Sequence, residues 1–162
     1  MAQKLIDPRV RHGILRFFLR LPIWLYRVHL GWLLGDRFLM LTHIGRKSGQ
    51  PHQTVLEVVS HDKSSDAYVI ASGWGEQSDW FRNVQKTPRV IVQTGSRCIA
   101  AKAERLSPVD AERELRDYAQ RHPTAFRKLA GLMTGRPWRD EPEYFYQLAQ
   151  SLPMVALRPA NR

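Results

Sequence analysis

Cysteine is all but missing from this chain: Cys98 stands alone among 162 residues. A lone thiol excludes a disulfide framework and a thiolate metal cluster, and it is compatible with a reducing cytoplasm. Acidic residues are scarce, with 15 Asp and Glu against 25 Lys and Arg. The shortage is uneven, because residues 1–56 hold only Asp7 and Asp36 against nine lysines and arginines. Such a basic field draws phosphates, anionic lipid, nucleic acid or an acidic cofactor tail, without choosing among them. No GxGxxG, P-loop or GxSxG elbow is present, so dinucleotide-fold, P-loop and serine-hydrolase chemistry have no motif to stand on. His43, His52 and His61 recur every nine residues. That is no helical ligand spacing, and no metal site is expected.

A clean transmembrane run is also missing. Residues 14–34 are long and greasy, but they contain Arg16, Arg20 and Arg27. At 100° per residue these arginines fall within about 40° of one another, a single basic stripe on an apolar helix. Two readings follow: a helix docked on the core with a solvated face, or one lying on a membrane surface from the cytoplasmic side. Pro22 kinks this helix or opens a second. At 43% hydrophobic and 25% charged, residues 1–162 suit one globular domain. No secretory signal is read, so a cytoplasmic location is expected.

What is present is a run of short strands. Residues 37–42, 54–60 and 67–72 are apolar and β-branched, separated by turns at 44–50 and 61–66. Residues 78–86 read as a short helix capped by Ser78, with Trp80, Phe81 and Val84 on one face. A hairpin follows over 89–93 and 97–106, turning at 94–96. Ser107-Pro108 then starts a helix carrying Leu115, Tyr118, Ala119 and His122. Pro123 begins another, with Phe126, Leu129, Ala130 and Met133 as its buried side. Residues 134–151 give little signal, and 154–157 is a last strand that Pro159 stops. The first strands are joined by turns too short for parallel crossovers, so they are antiparallel. The fold expected is α+β, with six strands in a small barrel and helices outside.

Two segments carry chemistry. Gly45-Arg46-Lys47-Ser48-Gly49 joins two glycines to a guanidinium, an ammonium and a hydroxyl at a hairpin tip, which suits an anion. A basic solvated turn has the same composition. Ala71-Ser72-Gly73-Trp74-Gly75 is followed by Asp79-Trp80-Phe81-Arg82-Asn83. Its small residues leave room for a flat ring, Trp74 can wall it, and the helix start offers free N–H groups. A packed aromatic cluster with a helix cap is the rival reading.

Together, T-H-I-G-R-K-S-G at 42–49, residues 71–75, D-W-F-R-N-V at 79–84 with Pro88, and L-P-M-V-A-L-R-P at 152–159 resemble the deazaflavin-dependent nitroreductase family. The likeness is strongest over residues 38–106. It implies a split β-barrel that binds coenzyme F420, a deazaflavin with a phosphate and an oligoglutamate tail. It also implies F420H2-dependent reduction of a small electron acceptor such as a nitro compound, quinone or enone. By matched position, Arg46, Lys47 and Ser48 would hold the phosphate and tail, and Gly49 and His52 are expected among the cofactor-binding residues. Ser72, Gly73 and Trp74 would lie along the ring, and Trp80 and Asn83 would complete the pocket. Three features depart from the pattern: His52 stands near the place of an arginine, no lysine occurs at 73 or 74, and 124–151 lacks the matching tyrosine segment. Tyr118, Phe126, Tyr144 and Tyr146 are read as substrate-side or core aromatics. No catalytic acid or base is named. The rival functions are an FMN- or haem-binding split barrel, and a non-enzymatic basic module for membrane or nucleic acid. Scattered basic residues without a stacked aromatic platform speak against nucleic acid.

Overall fold

A computed structural model describes residues 35–134, 137–138 and 141–160. The arginine-striped segment 14–34 lies outside them. Six strands, β1 (Phe38–Ile44), β2 (Pro51–Asp62), β3 (Ala67–Ala71), β4 (Arg89–Thr94), β5 (Arg97–Arg105) and β6 (Met154–Pro159), close a barrel in the order β1-β2-β3-β6-β5-β4. Every pairing is antiparallel, and β4 returns to β1 through Leu41↔Val92. Four helices accompany them among the described residues: α1 (Asp79–Lys86), α2 (Pro108–Arg121), α3 (Pro123–Thr134) and α4 (Pro142–Ser151).

Two apolar cores explain which strands alternate and which do not. Inside the barrel, Leu39, Leu41, Ile70, Val90, Val92, Val155 and Leu157 pack together, and α1 adds Trp80, Phe81 and Val84. Outside β2, β3 and β6, a second core is formed with α2, α3 and α4 around Leu115, Tyr118, Phe126, Phe145 and Leu148. β3 and β6 are covered on both faces, so Tyr68, Val69, Ile70 and Met154, Val155, Ala156, Leu157 are buried without interruption. β4 has one covered face: Val90 and Val92 are buried while Ile91 is 41% exposed.

Sequence periodicity located every strand and misjudged some ends. β2 starts at Pro51, not 54, because polar His52 and Gln53 pair with His43 and Thr42 of β1 without an apolar pattern to announce it. A register shift between Val58 and Ser60 lets β2 serve both cores. Pro159 ends up within β6, opposite Ala101, beyond the last β3 pairing at Leu157. A proline is tolerated where a strand keeps one neighbour. Residues 134–151, unreadable in sequence, contribute α4.

Ser107 caps α2 as expected, its Oγ accepting from the Asp110 N–H at 3.1 Å. Ser78 precedes α1, but its side chain makes no cap bond. That expectation is corrected: its hydroxyl is engaged by Ser72 instead. His122 is exposed at the C-cap of α2. Phe126 and Ala130 are buried and Leu129 partly so; the Met133 side chain lies outside the described set. No described helix is long and apolar enough to cross a membrane.

Candidate functional site

The β1–β2 hairpin tip folds onto the N-terminal end of α1. The turn closes through Gly45 N–H to Gln50 O and Gly49 N–H to Gly45 O, both 2.8 Å. Gly49 has φ +68°, the left-handed region that favours glycine. Gly45 is crowded: a Cβ there would lie 2.5 Å from Ser48 Oγ and 2.7 Å from His52 Nε2, so those side chains would have to move.

Arg46 ties this tip to the helix. Its N–H donates to Asn83 Oδ1 at 3.0 Å, its Nη1 to the same oxygen at 2.9 Å, and its Nη2 pairs with Asp79 Oδ1 at 2.8 Å. Lys86 Nζ donates back to Arg46 O at 2.9 Å. Nη1 also reaches Asp79 O at 3.4 Å, so much of the guanidinium fork is committed, and Nε and one Nη2 proton are without a partner among the described residues. Lys47, by contrast, is exposed and its ammonium has no protein partner among the described residues. Ser48 Oγ accepts from Gln50 N–H at 3.2 Å and meets His52 Nε2 at 3.3 Å.

Beneath the turn sits His43, which is not among the residues expected to bind the cofactor. It follows Leu39 and Leu41 on the inward face of β1 and is 4% exposed. Its Nδ1 accepts from Asn83 Nδ2 at 3.1 Å, and its ring faces that of His52 with centroids 6.0 Å apart. Burial, helped by His52 and opposed by Asp79, brings its pKa down to about 4, so the ring is neutral at physiological pH. An imidazole on an inward apolar face, two residues before a basic turn, was the available signal. His61 sits elsewhere, paired with Asp66 and stacked on Tyr68. The described residues contain no cluster able to hold a metal ion.

Between the hairpin tip, the start of α1 and the loop after β3 lies a cleft of about 670 Å³. Among the residues expected to form a site, Arg46, Lys47, Ser48, His52, Gly73, Trp74, Trp80 and Asn83 line it, whereas Gly49 and Ser72 do not. Ser72 is fully buried, and its hydroxyl lies 2.7 Å from Gly75 O and 2.6 Å from Ser78 Oγ. It orders the loop. Trp74, at 52% exposure, stands at the rim.

Gly73 also borders a second, smaller recess of about 180 Å³ walled by Leu115, Leu129, Leu152, Met154 and Tyr118. Tyr118 Oη donates to Glu57 Oε1 at 3.1 Å, and Arg37 holds the same carboxylate. Desolvation, with Glu57 beside it, pushes the phenol up to about 12. Of the other aromatics, Phe126 is core, Tyr144 is partly buried and Tyr146 is 45% exposed.

Comparison with known proteins sets this geometry in a family. Residues 20–139 match the model described as F420H(2)-dependent quinone reductase. A solved F420-H2 dependent reductase is similar at 19% identity and TM-score 0.52, over 76% of this chain and 96% of that one. A protein of unknown function from Agrobacterium tumefaciens is similar at 18% identity and TM-score 0.54, over 98% of this chain and 59% of that one. A pyridoxamine 5'-phosphate oxidase-related, FMN binding protein from Nostoc punctiforme is similar at 14% identity and TM-score 0.52, over 84% and 80%. At these identities the structures share the barrel fold.

Proposed function

Because the chain belongs to the F420H(2)-dependent quinone reductase family, we propose that the cleft at the hairpin tip holds coenzyme F420 and that the recess beyond Gly73 admits the ring of a quinone-type acceptor. The protein is an oxidoreductase with F420 as its cofactor. When bound, the reduced cofactor supplies a hydride, and the acceptor takes one further proton to become the hydroquinone.

The residues fit such a ligand. At about 670 Å³ the cleft lies within the usual 300–1,000 Å³ range of cofactor sites. The Lys47 ammonium at its edge is the observation that carries the reading, since it offers an acidic phosphate tail a charge that nothing among the described residues claims. Ser48, His52 and the remaining Arg46 donors lie beside it. Gly73 lines both the cleft and the recess, and Trp74 stands at the rim of the cleft. The recess, about 180 Å³ and mostly apolar, takes one ring with its substituents outside. There the Tyr118 hydroxyl keeps its proton at neutral pH and orients the Glu57 carboxylate. Nitro compounds and enones fit the same electron-poor class. FMN and haem are not favoured, because the family match is to an F420H2 enzyme.

Residues 14–34 are proposed to rest on a membrane from the cytoplasmic side within a single-domain protein. The arginine stripe supports this, as does the lipid solubility of many quinones. Fluorescence titration of F420 tests the cofactor site. Saturable binding by the wild type is expected, weakened about tenfold in Lys47→Ala, by the loss of one charge-assisted contact. Absence of binding at tens of micromolar ends the reading. Liposome partition unchanged on deleting residues 1–30 ends the membrane part.

A further inference from the structure

The cleft is lined by a histidine of which the described residues engage one ring nitrogen and not the other. His43 is 4% exposed and lines the cleft, and its Nδ1 is taken by Asn83 Nδ2. Nδ1 must therefore be the bare nitrogen, and the ring proton sits on Nε2. That N–H donates to nothing among the described residues, and it is not one of the sealed unpartnered atoms, which are Thr94 Oγ1 and Trp138 Nε1, so it is left for an acceptor in the cleft.

The tautomer is held by more than one contact. Asn83 cannot turn its amide round, because its Oδ1 already accepts from both the N–H and the Nη1 of Arg46. Its amino group is thereby aimed at His43. Titratable neighbours act on the ring from different sides: Asp79 from α1, and His52 from β2. Burial decides for the neutral form. The result is a rigid, uncharged N–H on the floor of a cationic cleft.

We propose that His43 Nε2–H is a cofactor-binding donor, reaching an oxygen acceptor of the bound ligand, either phosphate or ring carbonyl. The proposal rests on the F420 reading of this cleft. A neutral donor at this depth adds direction where Lys47 adds only charge. It also makes Asn83 a positioning residue, acting on the ligand through the tautomer it enforces.

The test uses full-length wild-type protein with labelled histidine. Long-range proton–nitrogen correlation spectra identify the His43 tautomer, and F420 is then added while its fluorescence reports binding. Expected are an Nε2–H ring before addition and a displaced Nε2–H signal after it. Inorganic phosphate alone reproducing the displacement assigns the acceptor as phosphate; F420 moving it where phosphate does not assigns the ring carbonyl. Binding that leaves the His43 signal unmoved overturns the proposal and spares the cofactor reading. Absence of any binding overturns both. In parallel, His43→Phe should bind F420 about five- to tenfold more weakly, with His43→Gln, whose amide restores a donor near Nε2, recovering much of the loss. Equal affinity in folded His43→Phe and wild type overturns it as well.

Discussion

The hairpin tip is held to α1 by two kinds of contact, and their contributions differ enough to separate by experiment. Asn83 is 4% exposed and makes three hydrogen bonds, to Arg46 N–H, Arg46 Nη1 and His43 Nδ1, at 2.9–3.1 Å. In Asn83→Ala the guanidinium can turn to water, but the Arg46 N–H and His43 Nδ1 lose partners in places that water reaches poorly. At about 1–3 kcal/mol for each unsatisfied group, a loss of about 3 kcal/mol is expected. For a chain of this size, about 2–4 °C per kcal/mol turns that into a fall of roughly 6–12 °C in Tm. The ion pair of Arg46 with Asp79 is shorter, at 2.8 Å, yet the Asp79 side chain is 82% exposed. Asp79→Ala should therefore lose no more than about 1 kcal/mol. Scanning calorimetry in low salt and in about 1 M salt, where the Debye length is about 3 Å, distinguishes them. The Asp79 effect should vanish in high salt and the Asn83 effect persist. Equal losses in the two variants, or an Asn83 effect erased by salt, refute the account.

Other expectations concern pH, the turn and the helix layer. The folded pKa of His43 lies near 4, below its unfolded value near 6.5, so the native state binds fewer protons. Its contribution, on the order of 2–3 kcal/mol, is complete above about pH 6.5 and is lost as pH falls towards 4; Tm should decline through that window, and His43→Phe should flatten the decline. Gly49→Ala, at φ +68° with open space around it, should destabilise by about 1–2 kcal/mol in denaturant titrations without changing F420 affinity more than twofold. Gly45→Ala should do the opposite, displacing Ser48 and His52 and weakening F420 binding more than stability. Phe126→Ala, at 1% exposure between α2 and α4, should reduce unfolding free energy by about 3–5 kcal/mol.

Local chemistry determined much of this protein. Short apolar runs between turns too tight for crossovers dictated antiparallel strands, Ser107-Pro108 dictated where α2 begins, and the basic glycine-flanked turn supplies one wall of the cleft. Those features act within a few residues of one another, so they can be read along the chain. Tertiary structure decided which groups are left to act. The fork of Arg46 looks free in sequence and is mostly taken by Asp79 and Asn83, while Lys47 beside it is not. Ser72 looks available and is sealed beneath the loop it orders. His43 looks like one of three evenly spaced histidines and becomes a cleft-lining donor with a fixed proton, because Asn83 lies 40 residues away in sequence and 3.1 Å away in space. Hydrogen-bond partners at that separation depend on closure of the barrel, and no local pattern of residues encodes them.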